Sequence, residues 1–222
     1  KMGINDKGVA IGSNISRTIT FDEEGKSAKE WAAASRGEFM RQGLIQGGTA
    51  VEAAQVITPL LFSDPMSSPG SIDIADAKSA IILEGEFTHL ASEWIENGVT
   101  GRANKFEILS HLARPRSEIP SSYCRYERVM EVLEKNEGNV TVETMRDLSI
   151  DHKNGPGLSS ICRYQENDYN DETTLSAAIF QLRESKPEKS EVYIALGKTS
   201  YSWRSNEGEG WVKISADAIE DD

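Results

Sequence analysis

Apolar and polar positions along this chain switch between helical and strand periods in blocks. Val9-Ala10-Ile11, between Gly8 and Gly12, reads as a short buried strand with Asn14 at or just beyond its end. Ser27 to Gln46 is alanine-rich, carries Phe39, Met40 and Leu44 at helical spacing, and stops at Gly47-Gly48. Thr49-Ala50-Val51-Glu52 then forms a capping box for a second helix, whose Ala53, Ile57, Leu60 and Leu61 share one face.

A turn rich in Ser, Pro and Gly from Ser63 to Gly70 ends this helical pair. Ile72 to Ala75 alternates as a strand does, while Ala80 to Leu83 is continuously apolar, as expected of a sheet covered on both sides. Tyr126, Val129, Met130 and Leu133 mark a third helix, and Thr141 caps a fourth that runs to about Ser149. Strand patterns return at Leu175 to Phe180 and at Val192, Ile194 and Leu196; Trp203 and Trp211 flank a charged hairpin or loop, Arg204 to Gly210. Helices and strands come in blocks and not in strict alternation, which predicts an α+β fold with antiparallel sheets.

The 222 residues suit a single domain, residues 1–222. With 24 Lys and Arg against 36 Asp and Glu, the net charge of −12 repels polyanions, so nucleic acid is an unsuitable partner. No apolar run reaches the roughly 18–20 residues that cross a bilayer, so no membrane is expected as a partner. Cys124 and Cys162 lie in different predicted elements, without metal-ligand spacing, and are read as free thiols. That reading favours the cytoplasm, although the localisation is unassigned. The opening on Lys1 reads as the interior of a domain, which implies either a removed signal peptide or an absent N-terminal part.

Among histidines there are only His89, His111 and His152, and no Gly-x-Ser-x-Gly elbow accompanies them, so serine-histidine catalysis is unsupported. An N-terminal nucleophile needs no histidine, because its own α-amino group, with a pKa of about 7.7–8.0, takes the proton from its thiol or hydroxyl. Lys1 supplies neither group.

Three segments carry a resemblance. They are Gly3-Ile4-Asn5-Asp6-Lys7-Gly8 with Val9 to Asn14, Arg102-Ala103-Asn104-Lys105-Phe106, and Asp151 to Pro156 followed by Ser160-Ile161-Cys162-Arg163-Tyr164 and Thr173-Thr174. On these the chain resembles the penicillin acyltransferase-like family of N-terminal-nucleophile hydrolases, which is related to the choloylglycine hydrolases. The resemblance implies a four-layer αββα sandwich, with this chain as its larger, C-terminal portion. It also implies a cysteine upstream of Lys1 that attacks a linear C–N amide and forms an acyl-enzyme, with no metal or organic cofactor. The implied partners are a small-molecule amide or acyl donor and the N-terminal segment of the same protein; a homo-oligomer stays open.

Under the resemblance, Asn14 and Asn104 stabilise the oxyanion or orient the amine, and Arg163 tunes the nucleophile. Spacing alone reads Asn14 equally as a turn asparagine, Asn104 as a loop asparagine and Arg163 as a solvated charge. Lys105 and Tyr164 stand where the family often has histidine. Cys162 reads as a buried small residue. Two other functions remain open: a non-catalytic binding or scaffold protein that keeps the fold, and a secernin-like dipeptidase, suggested by Gly37 to Ile57.

Overall fold

The computed structural model describes residues 1–19, 35–63, 69–86, 88–155, 157–163, 173–196 and 210–216. The first sheet runs in chain order: β1 (Met2–Ile4), β2 (Ala10–Ile15), β3 (Gly70–Ala75), β4 (Ala80–Gly85) and β5 (Leu90–Ile95), all antiparallel. The second is β6 (Ser176–Gln181), β7 (Glu191–Leu196) and β8 (Trp211–Ser215), also antiparallel. Four helices are traced among the described residues: α1 (Arg36–Gln46), α2 (Ala50–Ser63), α3 (Pro120–Lys135) and α4 (Val142–Ser149).

Register divides the first sheet into two chemically different faces. Ile11 pairs with Ile74, Ile74 with Ile81 and Ile72 with Leu83; this face joins Phe39, Met40, Ala53, Ile57 and Leu61 of α1 and α2 in one apolar core. Each isoleucine fully buried there contributes about 1.5–3 kcal/mol. The opposite face carries Asn14, Ser71, Asp73 and Glu84, which alternation along each strand places together. Ile81, Ile82 and Leu83 are all buried, so β4 is covered on both sides, as its apolar run predicts.

The capping box forms in modified form. Thr49 Oγ1 accepts from the Glu52 N–H at 3.1 Å, but Glu52 Oε2 reaches back to the Gly48 N–H at 2.7 Å, one residue before Thr49. Asp76, at the β3–β4 turn, adds a second cap by accepting from the Ala50 N–H at 2.8 Å. In α4 both halves of the Thr141–Thr144 box are present. That helix lies against β6, and its Arg146 guanidinium sits 5.1 Å from the Tyr193 ring and 5.7 Å from that of Trp211.

The Gly3 to Gly8 segment is the β1–β2 hairpin. Asn5 Nδ2 donates to the carbonyls of Leu44 at 2.9 Å and Gly47 at 2.8 Å, while its Oδ1 accepts from the Val9 N–H at 2.8 Å. One side chain thus closes the turn and ties the end of α1 to the sheet. Gly8 has φ +76°, which a side chain would strain.

The architecture is α+β, with a helix pair on one face of the first antiparallel sheet and α4 on the second. Such layers match those of an αββα sandwich. The structure adds β1, β5 and β8 to the strands read from sequence, starts α3 at Pro120, and sets Asn14 inside β2. Of the expected Ser27–Gln46 helix, residues 27–34 lie outside the described residues, as do Trp203 and most of the Arg204–Gly210 segment. Both cysteines are free thiols, and Cys162 is fully buried. No described helix is long and apolar enough to cross a membrane.

Candidate active site

Where β2 leaves the sheet, a cavity of about 520 Å³ opens, lined by Lys1, Ser13, Asn14, Ile15, Ser35, Arg36, Gly37 and Asn104. Three separate elements supply these groups: the β1–β2 hairpin, the first turn of α1 and the loop that carries Asn104. Two of the three residues expected from sequence meet here, although 90 positions separate Asn14 from Asn104.

Asn14 stands opposite Ser71 in the β2–β3 ladder. Its side-chain oxygen is buried and accepts no hydrogen bond from any described residue. A buried carboxamide oxygen without a donor is costly, so the position suits a ligand that brings an N–H or O–H group.

Asn104 is held from three sides. Its Nδ2 donates to the Ile15 carbonyl at 2.8 Å, its Oδ1 accepts from Arg125 Nη2 at 2.8 Å, and its backbone carbonyl accepts from the Arg17 N–H at 3.1 Å. The strand exit after Asn14 is therefore fastened directly to the residue that shares its cavity. Further along, the Arg17 carbonyl accepts from the Arg114 N–H at 3.3 Å, and Thr18 bridges to Ala113.

The Arg102–Glu107 loop that presents Asn104 is fixed at both ends. Glu84, with no exposed surface, accepts from the backbone N–H groups of Glu107, Ile108 and Leu109 at 2.8–3.1 Å. Lys105 is buried, its Nζ pairs with Glu107, and it stands 4.8 Å from the Tyr123 ring and 4.2 Å from the Tyr126 ring on α3. Lys105 thereby fastens the loop to a helix.

Arg36 supplies a guanidinium to the cavity wall, and its Nη1 donates to the Pro69 carbonyl at 3.2 Å. Burial pushes its pKa below the ordinary arginine value. It approaches β2 over Gly70, where an added Cβ would lie 2.1 Å from the Asn14 carbonyl oxygen and 2.7 Å from Arg36 Nη1. Gly70 is therefore required for this close approach.

Arg163 is not among the residues that line this cavity. Its backbone N–H donates to Thr174 Oγ1 at 3.0 Å, and its carbonyl accepts from the Thr174 N–H at 3.0 Å. Neither cysteine is among the lining residues. A second hollow, of about 540 Å³ at Lys78 and Leu182 to Ser185, brings none of the three expected site residues together. Sequence reading passed over Arg36, Gly70 and Arg125; a glycine opening a strand was the one local signal, because the two arginines acquire meaning only through distant neighbours.

Asp73 shares the sheet face of Asn14 and accepts from Ser71 Oγ at 2.7 Å. Burial pushes its carboxyl pKa up, against the opposing effects of the Ser71 hydrogen bond and the Arg102 charge.

The family described as acyl-coenzyme A:6-aminopenicillanic acid acyl-transferase matches this sequence over residues 1–200.

Proposed function

This chain belongs to the acyl-coenzyme A:6-aminopenicillanic acid acyltransferase family, and on that premise we propose that it serves a cysteine N-terminal-nucleophile amidohydrolase or acyltransferase. Acyl transfer and amide hydrolysis are the activities that the family suggests. The observation that carries the finer reading is the single cavity shared by Asn14, Asn104 and Lys1.

In this reading the attacking cysteine lies in a segment preceding Lys1 in the same protein. Lys1 lines the cavity, so such a segment would enter beside it. The cysteine's α-amine takes the thiol proton, and the thiolate adds to the carbonyl carbon of a linear amide. The remaining N–H of Asn104 donates to the oxygen that becomes negative, and the buried oxygen of Asn14 accepts from the amine. The C–N bond then breaks, the amine leaves with the proton, and a thioester remains. Water releases the acid, whereas a second amine takes the acyl group. For Arg163 the proposal is limited to charge, a guanidinium that favours the thiolate.

Incubating the intact protein with linear amides and acyl thioesters, followed by mass spectrometry of the protein, tests the mechanism. The expected result is an acyl adduct on an N-terminal cysteine with turnover of at least one amide. Hydrolysis of free dipeptides alone would favour the dipeptidase reading. That neither Cys124 nor Cys162 lines the cavity favours, as a second reading, a non-catalytic scaffold. A mature chain without an N-terminal cysteine, and without adduct or turnover, would establish it.

A further inference from the structure

Arg125 lies on α3, outside the cavity lining, and its Nη2 meets Asn104 Oδ1 at 2.8 Å. A guanidinium only donates, so the atom that it touches has to be the carboxamide oxygen. The nitrogen is thereby directed to the Ile15 carbonyl, where it spends one of its two hydrogens at 2.8 Å. One N–H remains for the cavity.

The contact also acts electronically. A cation hydrogen-bonded to an amide oxygen draws density from the nitrogen, so the remaining N–H becomes a stronger donor. That gain matters most when charge develops on the acceptor, as it does in a tetrahedral intermediate.

We propose that Arg125 is a positioning residue for the acyl-transfer reaction, which orients and polarises the Asn104 carboxamide so that its free N–H serves as the oxyanion donor. The inference rests on the proposed function, in which Asn104 faces the reacting carbonyl. The loop has its own attachment to α3, because Lys105 stands between Tyr123 and Tyr126. Removing Arg125 therefore leaves the loop an attachment to α3 through Lys105.

The test compares Arg125→Met, Arg125→Lys, Asn104→Ala and the Arg125→Met/Asn104→Ala double variant in the intact protein, using an amide that the wild type turns over. Arg125→Met is expected to lower kcat by about ten-fold or more with KM little changed, and Arg125→Lys to recover part of the loss. In the Asn104→Ala background the same change is expected to add nothing, a non-additivity that a purely structural role does not produce. Full kcat in a folded Arg125→Met variant, or losses that multiply in the double variant, would overturn the inference. Full turnover by Asn104→Ala would instead overturn the role of Asn104 itself. Independently of turnover, the Asn104 side-chain ¹⁵N–¹H resonances, assigned by their loss in Asn104→Ala, are expected to move in Arg125→Met; unchanged resonances would show that Arg125 does not control the amide.

Discussion

Arg102 Nε lies 3.1 Å from Glu84 Oε1, with the arginine side chain 5% exposed and the glutamate not exposed at all. This ion pair is the foundation of the loop that carries Asn104, because the same carboxylate receives three successive backbone N–H groups from that loop. The Arg102 Nη2 group pairs in addition with Glu93 on β5.

Glu84→Gln should therefore be strongly destabilising. An amide offers one acceptor where two carboxylate oxygens serve now, and it turns an NH₂ group toward donors. The loss expected for breaking a buried pair is about 3–5 kcal/mol. Denaturant unfolding checks it, and a loss below about 1 kcal/mol would mean that the loop is fixed by other contacts.

Gly70→Ala tests the close approach of β2 and β3. The new Cβ would stand 2.1 Å from the Asn14 carbonyl oxygen, so the strands have to part at the ladder's end. A destabilisation of about 1–3 kcal/mol or more is expected from this overpacking. A variant of wild-type stability would show that β2 gives way freely.

Two aspartates give opposite pH signatures. Burial alone would raise the Asp76 carboxyl, but the N–H groups of Ala50, Lys78 and Ser79 outweigh it and hold its pKa below the usual value. Its stabilisation is present above the unfolded pKa of about 3.9 and is lost as pH falls through the folded value. For Asp73, whose folded pKa is raised by burial, stability declines as pH rises from the unfolded pKa through the folded one. Asp76→Asn is expected to lower Tm at pH 7 and to converge on wild type in acid. Asp73→Asn should raise Tm by a few degrees at pH 7, with the advantage fading in acid. Thermal melts across pH 3–8 check both signs.

For turnover, removing the Asn104 carboxamide with Asn104→Ala should reduce kcat by about 10²–10³-fold, the range for loss of one oxyanion donor. Asn14→Ala should act on the same step. Steady-state kinetics on an amide substrate provide the measurement, and an unchanged kcat in both variants would remove the cavity from the mechanism.

Arg163→Gln should shift the acidic limb of the pH–rate profile upward, since the thiolate would lose a stabilising cation. A profile identical to wild type would leave Arg163 with the backbone role seen at Thr174.

The sequence alone determined most of what local physics controls. The apolar run of β4, the Thr49 and Thr141 caps and the stop at Gly47 each follow from period or capping within a few residues. β1 and β5 were not legible: they are the outer strands of the first sheet, and Ser92, Glu93 and Trp94 of β5 are all exposed in succession, which erases the alternation that announces a strand. Asn14 and Asn104 could be named through motifs, but each read equally well as a turn or loop asparagine. Tertiary structure decided that they share a cavity, that Arg36 reaches it over Gly70, that Arg125 fixes one amide, and that Glu84 is buried beneath the loop. The physical reason is range. A side chain's burial and hydrogen-bond partners depend on which distant segment packs against it, whereas helix and strand periods are set by the chain's own immediate neighbours.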